Sequence, residues 1–269
     1  MRVVWLACAL LAAPAAAQEW YIPKRATLLE RGRGELGLRM QFSANNDGLL
    51  DNLRLDGIPH LRYAPLRRLE FYVEAPVSYA EREDVVGFNI VKNQTTGVGD
   101  TFLQTSLEGF SGEDWKILYN LDTSLPTGKS PYRHRVNTGG GHFQAAVGQT
   151  AMLVMDPLVL FFHLGYQHIF ARRGGTAWVA PGRSVRYRFG TVVALNPRVQ
   201  TTLHVTGDQV ANTKVGGRVV AGSSGSLIRF GWGLDMRVGK RSRLGTDAIF
   251  GMTKNTPDAT LAFGWGWSF

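Results

Sequence analysis

The sequence predicts an all-β protein: a transmembrane antiparallel up-and-down β-barrel of about twelve strands, with short periplasmic turns and longer extracellular loops. Three observations lead to it. In the last eleven residues, Ala259 to Phe269, the large apolar residues Leu261, Phe263, Trp265, Trp267 and Phe269 alternate with Ala, Gly or Ser. A period of two puts all five on one face of a strand. Eleven earlier segments alternate in the same way, and the connections between them are short and long in turn. The best helical candidate, Ala151 to Gly165, is interrupted by Asp156-Pro157 and falls short of the ~20 residues a spanning helix needs.

The chain opens with a segment that reads as a secretory signal peptide, Met1 to Ala17. Arg2 supplies the positive n-region, Val3 to Leu11 the apolar stretch, and Ala15-Ala16-Ala17 the cleavage site before Gln18. Residues 18–33 are then a periplasmic N-terminal segment and 34–269 the barrel. The sole cysteine, Cys8, lies in the leader, which excludes disulfides, thiol chemistry and Cys-based metal sites from the remainder. The formal net charge is +9, and losing Arg2 leaves it positive. In an exported chain that points to acidic solutes or lipopolysaccharide phosphates sooner than to nucleic acid.

The segments follow in order. The first, Glu35 to Ala44, sets Leu36, Leu38, Met40 and Phe42 against Glu35, Arg39 and Gln41. The second, Asn52 to Tyr63, is the least regular. The third, Leu69 to Ser78, sets Leu69, Phe71 and Val73 against Glu70, Tyr72 and Glu74. The fourth is Asp100 to Gly109. The fifth is Trp115 to Leu125, with Trp115, Ile117, Tyr119 and Leu121 toward lipid. The sixth and seventh are His142 to Val154 and Leu158 to Phe170. The eighth, Val185 to Leu195, alternates Val185, Tyr187 and Phe189 with Arg186 and Arg188, and the ninth is Val199 to Thr206. The tenth, Ser226 to Val238, sets Ile228, Phe230, Trp232, Leu234 and Met236 against Arg229, Asp235 and Arg237. Arg243 to Gly251 and Ala259 to Phe269 complete the set. Twelve is the expected count, with ten and fourteen as alternatives.

Short turns are expected at Ala64 to Arg68, Phe110 to Asp114, Met155 to Pro157, Asn196-Pro197 and Gly239 to Ser242. Longer outer loops are expected at Ala80 to Gly99, Pro126 to Gly141, Ala171 to Ser184 and Gly207 to Gly225. Each segment reaches the ~9–11 residues of a tilted spanning strand. Closure is required because lipid cannot satisfy a free backbone N–H at a sheet edge.

The closing strand resembles that of bacterial outer-membrane barrels, and the resemblance implies that the barrel-assembly machinery reads Phe269. Further stretches resemble the outer-membrane family labelled after the meta-pathway of phenol degradation. They are Gly97-Val98-Gly99-Asp100, Ser124-Leu125-Pro126-Thr127-Gly128, Thr138-Gly139-Gly140 and Leu164-Gly165-Tyr166, in that order, with an Asp-Pro turn after the sixth segment. The resemblance covers roughly residues 60–269 and implies a barrel channel or transporter, with the solute unspecified.

Chemistry-bearing motifs are few. Pro126-Thr127-Gly128-Lys129-Ser130 ends like a phosphate loop, but Thr123 stands where the first glycine belongs, and a strand takes the place of the helix that should follow. Outer-membrane lipid hydrolases need a Ser activated by a His. No His is followed two places later by Ser, and only His204-Val205-Thr206 sets a hydroxyl beside one. No paired-His or Glu-x-His metal spacing occurs. No cofactor, metal or catalytic residue is therefore expected.

The inward charges are more informative. Segments three to five turn Glu70, Glu74, Asp100, Glu108 and Asp122 inward, with Lys116 the exception. Segments eight and ten turn Arg186, Arg188, Arg229 and Arg237 inward, with Asp235 the exception. In a ring of twelve, segment four lies opposite segment ten, so an acidic wall would face a basic one across a polar pore. The alternative is a salt-bridged plug, because a twelve-strand barrel lies between filled eight-strand and open sixteen-strand barrels. Apolar loop residues (Val85, Val86, Phe88 and Ile90; Trp178, Val179 and Ala180) are expected either to form an apolar vestibule or to touch lipid and lipopolysaccharide. The sequence thus predicts passive passage of small solutes, anionic or aromatic and hydrophobic ones included. A lipid-modifying enzyme and a closed structural or adhesive barrel are the alternatives, and monomer and trimer both remain open.

Overall fold

The computed structural model describes residues 28–46, 51–86, 89–134, 136–253 and 256–269. The expected leader, residues 18–27 and Phe88 lie outside the described residues. The chain is built from strands: β1 (Gly34–Asn46), β2 (Asp51–Leu66), β3 (Leu69–Glu74), β4 (Val77–Val86), β5 (Asn89–Val98), β6 (Thr101–Ser111), β7 (Trp115–Leu125), β8 (Gln144–Met155) and β9 (Leu158–Ile169) form the first part. The second part comprises β10 (Arg172–Gly174), β11 (Ala177–Ala180), β12 (Ser184–Asn196), β13 (Val199–Val210), β14 (Lys214–Val215), β15 (Arg218–Val219), β16 (Gly225–Arg237), β17 (Ser242–Gly251) and β18 (Ala259–Ser268). Among the described residues no helix is long and apolar enough to cross a membrane.

The sheet closes on itself. From β1 it runs through β18, β17, β16, β13, β12, β9, β8, β7, β6, β3 and β2, and β2 pairs back onto β1. That ring is a closed antiparallel barrel of twelve strands. The last strand joins the first along its length, from Glu35 opposite Ser268 to Ala44 opposite Ala259. The seam is tied off where Gly34 and Phe269 exchange backbone hydrogen bonds of 3.1 and 2.9 Å.

The period of two sets the two faces of the wall. On β18, Phe263 is 61 % exposed while its neighbour Ala262 is 5 % exposed. Leu36, Leu38, Met40 and Phe42 of β1 and Trp115, Tyr119 and Leu121 of β7 are likewise outward and exposed, as their alternation requires. An outward apolar band around a polar interior is the arrangement a bilayer demands. The short turns gather at one end with Phe269, while the segments joining β7 to β8, β9 to β12 and β13 to β16 gather at the other.

Three features differ from the expected loops. The stretch Ala80 to Gly99 is not an irregular loop, since β4 and β5 pair from Val77–Val98 to Val86–Asn89 and carry the barrel wall upward as a hairpin. The segments 171–184 and 207–225 contain β10, β11, β14 and β15, which form a separate four-stranded sheet. Within it Val179 is buried, whereas Trp178 is 61 % exposed. The irregular second segment is one continuous strand that changes partners, pairing with β4 through Gly57 and with β3 from His60 onward. Pro59 and Pro76 both sit at that changeover. Neither can donate a ladder hydrogen bond, so the break falls where two donors are missing.

The interior is narrowed from below. Leu28 and Leu29 enter the barrel, where Leu28 packs on Leu118, Met152 and Phe161, inward residues of β7, β8 and β9. The Leu29 amide donates to Glu70 Oε2 at 2.9 Å.

Candidate functional site

The inward face of the barrel carries ion pairs at three levels. Nearest the periplasmic end, Arg62 and Glu70 are joined by hydrogen bonds of 2.8–2.9 Å and are 0 % and 2 % exposed. Arg243 binds Glu35 at the same end. At mid-height Arg39 Nη2 lies 3.2 Å from Glu74 Oε2, and the Tyr72 hydroxyl also donates to Glu74. Toward the outer end Arg54 Nε bonds Asp56 at 2.9 Å. Across the barrel from it, Arg186 at 2.5 Å and Arg229 at 2.9 Å share the Asp208 carboxylate.

Burial explains the pairing. An unpaired charge withdrawn from water costs several kcal/mol, about 3–5 when its partner is removed, so each arginine sits where a carboxylate can meet it. Other polar groups link neighbouring strands across the inner face. Gln104 Nε2 donates to Asp122 Oδ1 at 2.8 Å. Ser106 donates to Asn120, and Asn120 to Thr150, at 2.9 and 3.0 Å. Thr150 Oγ1 in turn lies 2.8 Å from His163 Nδ1. This belt ties β6, β7, β8 and β9 together from within.

The residues expected to line the lumen fall as follows. Glu70, Glu74 and Asp122 are buried on the inner face, and so are Arg229 and Asp235. Arg186 and Arg188 are inward and mostly covered, and the Arg188 guanidinium lies 5.9 Å from the Phe161 ring centroid. Lys116 and Glu108 are half-buried on the inward register near the periplasmic end, and Arg237 is exposed at that rim. Asp100 is buried, but it binds the connecting segment 126–143 through backbone amides. In place of two opposed walls, Glu70, Glu74, Arg186 and Arg229 each enter an ion pair, between neighbouring strands or, for Glu74, across one intervening strand. Arg62, Arg39 and Asp208 supply the partners of Glu70, of Glu74 and of Arg186 with Arg229, and Arg54–Asp56 and Arg243–Glu35 are two further pairs. Glu35 and Arg39 already stand on the inward parity of segment one, and Arg54, Asp56 and Arg62 alternate with Leu53, Leu55 and Leu61 on the irregular segment two, whereas Asp208 lies beyond segment nine, expected to end at Thr206.

His204 and Thr206 share the inward face of β13, with His204 buried. Among the described residues no group of three His, Cys, Asp or Glu side chains is arranged to hold a metal ion.

Among the described residues, two sizeable cavities lie in the lumen. One of about 210 Å³ lies toward the outer end, between Arg54, Thr138 and Gly139 on one side and Arg229, Ile249 and Thr260 on the other. One of about 510 Å³ opens at the periplasmic end, lined by Arg33, Arg198, Arg237, Lys240, Arg241 and Arg243 among others, with Glu30 and Asp235 as its acids. The segment 126–143 enters the outer mouth, where Thr138 is fully buried. Its far end is fastened by His142, whose Nδ1 meets the Phe170 carbonyl at 2.8 Å and whose Nε2 meets the Tyr132 hydroxyl at 2.5 Å. Burial lowers the His142 pKa and pushes the Tyr132 hydroxyl up to about 12. The ring is therefore neutral near pH 7, donating through Nδ1–H and accepting from Tyr132.

Solved structures that resemble this one include outer-membrane barrels. An outer membrane channel from Pseudomonas putida F1 superposes with a TM-score of 0.76 at 14 % identity, covering 93 % of this chain and 100 % of that one. The NanC porin gives 0.52 at 9 % identity over 87 % and 98 % of the two chains. The transport unit of the autotransporter AIDA-I from Escherichia coli gives 0.51 at 10 % identity over 98 % of each. At such identities the likeness establishes the fold alone. Among curated proteins none matches the chain. The family described as "Putative MetA-pathway of phenol degradation" matches residues 51–269. That span contains eleven of the twelve barrel strands and each of the glycine motifs, and the chain belongs to this family.

Proposed function

We propose that this barrel is an outer-membrane channel through which small solutes pass passively, without catalysis or cofactor. The observation that carries the reading is the pair of cavities, about 210 and 510 Å³, at the two ends of one polar lumen. A barrel serving only as a scaffold would gain nothing from empty space lined by charged side chains, because a filled interior packs better. The fold shared with an outer-membrane channel of Pseudomonas putida supports the same reading.

In this reading anionic solutes, aromatic acids included, are drawn toward Arg186, Arg188, Arg229 and Arg237, while Glu70, Glu74 and Asp122 complete the constriction. The periplasmic cavity adds five further cations, three of them on the turns around Arg198 and Lys240-Arg241. Lipopolysaccharide is the partner of the outer surface, and Phe269 is the address read during assembly.

Conductance in planar bilayers tests the proposal. The refolded barrel is expected to give discrete single-channel steps, and a salt gradient is expected to give a reversal potential of anion sign. Replacing Arg186 and Arg229 together by Glu should reduce or invert that potential. Refolded barrels that never conduct would end the channel reading. A potential unmoved by the double charge reversal would remove these arginines from the permeation path.

A further inference from the structure

Three of the four glycine motifs, those at 97–100, 124–128 and 138–140, meet at one carboxylate. Above Asp100 the barrel wall changes, because β7 ends at Leu125 opposite Thr101 and, among the described residues, β5 pairs with β4 alone. An unpaired strand edge at the mouth of a barrel leaves backbone carbonyls to be satisfied by something else. The segment 126–143 supplies the donors. Lys129 Nζ donates to the Thr96 carbonyl at 2.5 Å, and the Thr138 hydroxyl donates to the Val98 carbonyl at 2.7 Å.

Asp100 then clamps that segment at both of its ends. Its Oδ1 accepts the Gly128 amide at 2.9 Å and its Oδ2 accepts the Gly140 amide at 2.7 Å. Charge-assisted bonds of this kind are roughly twice as strong as neutral ones. The space around the carboxylate is fitted to it. A Cβ on Gly139 would lie 2.1 Å from Asp100 Oδ1, and one on Gly128 would lie 2.8 Å from the Gly139 backbone. From the clamp the segment reaches inward, where Arg54 Nη2 donates to the Thr138 carbonyl at 3.1 Å. Thr138 and Gly139 thereby form one wall of the outer cavity, facing Arg229 and Ile249.

We propose that Asp100 is a positioning residue for permeation: by holding Gly128 and Gly140 together it keeps the 126–143 segment inside the outer mouth and sets the largest solute that enters. The proposal rests on the channel reading and extends it, since the exclusion size becomes a property of one carboxylate and three glycines. It differs from a role as a lining charge, which would alter ion preference and leave the size limit alone.

The test uses the full refolded barrel as D100A, D100N and G139A, with heat-modifiable migration on gels confirming that each is closed. Liposome swelling with neutral sugars of increasing size reads the exclusion limit free of charge effects. Limited trypsin digestion after Lys129 and Arg133 reads release of the segment independently of transport. D100A and G139A are expected to admit a sugar at least one unit larger than the wild type does, and to be cut several times faster, with D100N between. A variant with residues 130–136 replaced by two glycines should widen the pore by itself, and D100A should add nothing to it. Folded D100A and G139A with unchanged swelling and digestion would overturn the proposal, as would a D100A effect that persists without the loop. A wild type that passes no sugar or ion, with faster digestion of D100A, would instead overturn the channel reading while leaving the clamp standing.

Discussion

At the scale of single residues, the interior is governed by pairing, and two side chains show what that predicts. Arg62 and Glu70 are an almost fully buried ion pair at the periplasmic end, and Glu70 also holds the Leu29 amide. Replacing Arg62 by Ala should cost about 3–5 kcal/mol, because a buried carboxylate loses its partner, while R62M/E70L should recover most of that loss. Denaturant midpoints of the detergent-folded barrel measure both, and a cost below about 1 kcal/mol for R62A would mean that water reaches the pair. His142 makes the second prediction. Burial favours its neutral form in the folded chain, so the unfolded chain binds the proton more readily, from its ordinary value of 6.5. The contribution of His142 to holding the loop is thus complete above pH 6.5 and declines as the pH falls toward the lower folded value. Arg172 nearby lowers that value further and Asp100 opposes it. Trypsin cleavage after Arg133 should therefore accelerate between pH 7 and pH 5, and H142Q, which donates and accepts without titrating, should abolish the acceleration. The inward acids and arginines of segments three, four, five, eight and ten were legible from parity alone. Their partners were not, since pairing between β1, β2 and β3 depends on register, and register is set by contacts across strands.

At the scale of elements, the alternation that reveals a strand is imposed by the bilayer, so it is legible only as far as the bilayer reaches. β18 shows this at its clearest, with Phe263 toward lipid and Ala262 toward the lumen. Phe263 sits mid-strand, so F263R should cost about 2–4 kcal/mol of barrel stability, as for a cation near the midplane. The same change at Met252, in the exposed connection after β17, should cost less than about 1 kcal/mol, since the penalty vanishes toward the interface. Equal costs in guanidinium unfolding would place the lipid boundary elsewhere. β4 and β5 escaped the reading for the same reason. Glu81-Arg82-Glu83-Asp84 and Asn93-Gln94-Thr95-Thr96 are polar on both faces, as on strands that rise above the lipid, and a hairpin in water need not alternate. What holds it upright is pairing along its whole length, helped by Lys92 between Glu81 and Glu83. The small outer sheet was illegible too: β14 and β15 span only two residues each and carry no period at all.

At the scale of the whole molecule, the two mouths differ in their charges, and in the proposed channel that asymmetry would govern how ions approach. Inside the wall most arginines have carboxylate partners within 2.5–3.2 Å, so their fields largely cancel at a distance. The periplasmic cavity is different. Arg198, Arg237 and Lys240 are exposed there, and only Glu30 and Asp235 among its lining residues are acidic. Exposed charges act through solvent and are screened over the Debye length, about 10 Å at 0.1 M salt and about 3 Å at 1 M. If the periplasmic cations set the preference, anion selectivity should be pronounced at 0.1 M KCl and nearly gone at 1 M. Paired arginines at a desolvated constriction would instead keep their effect at both concentrations, because buried groups are screened far less. The triple variant R198E/R237E/K240E separates the two cases. It should shift the reversal potential toward cation preference at 0.1 M and change it little at 1 M, and it should weaken rectification, since the cations lie at one mouth only. A triple variant that leaves the 0.1 M potential unchanged would assign selectivity to Arg186 and Arg229 at the inner constriction. The basic excess of the sequence would then concern the membrane surface and have no part in the pore.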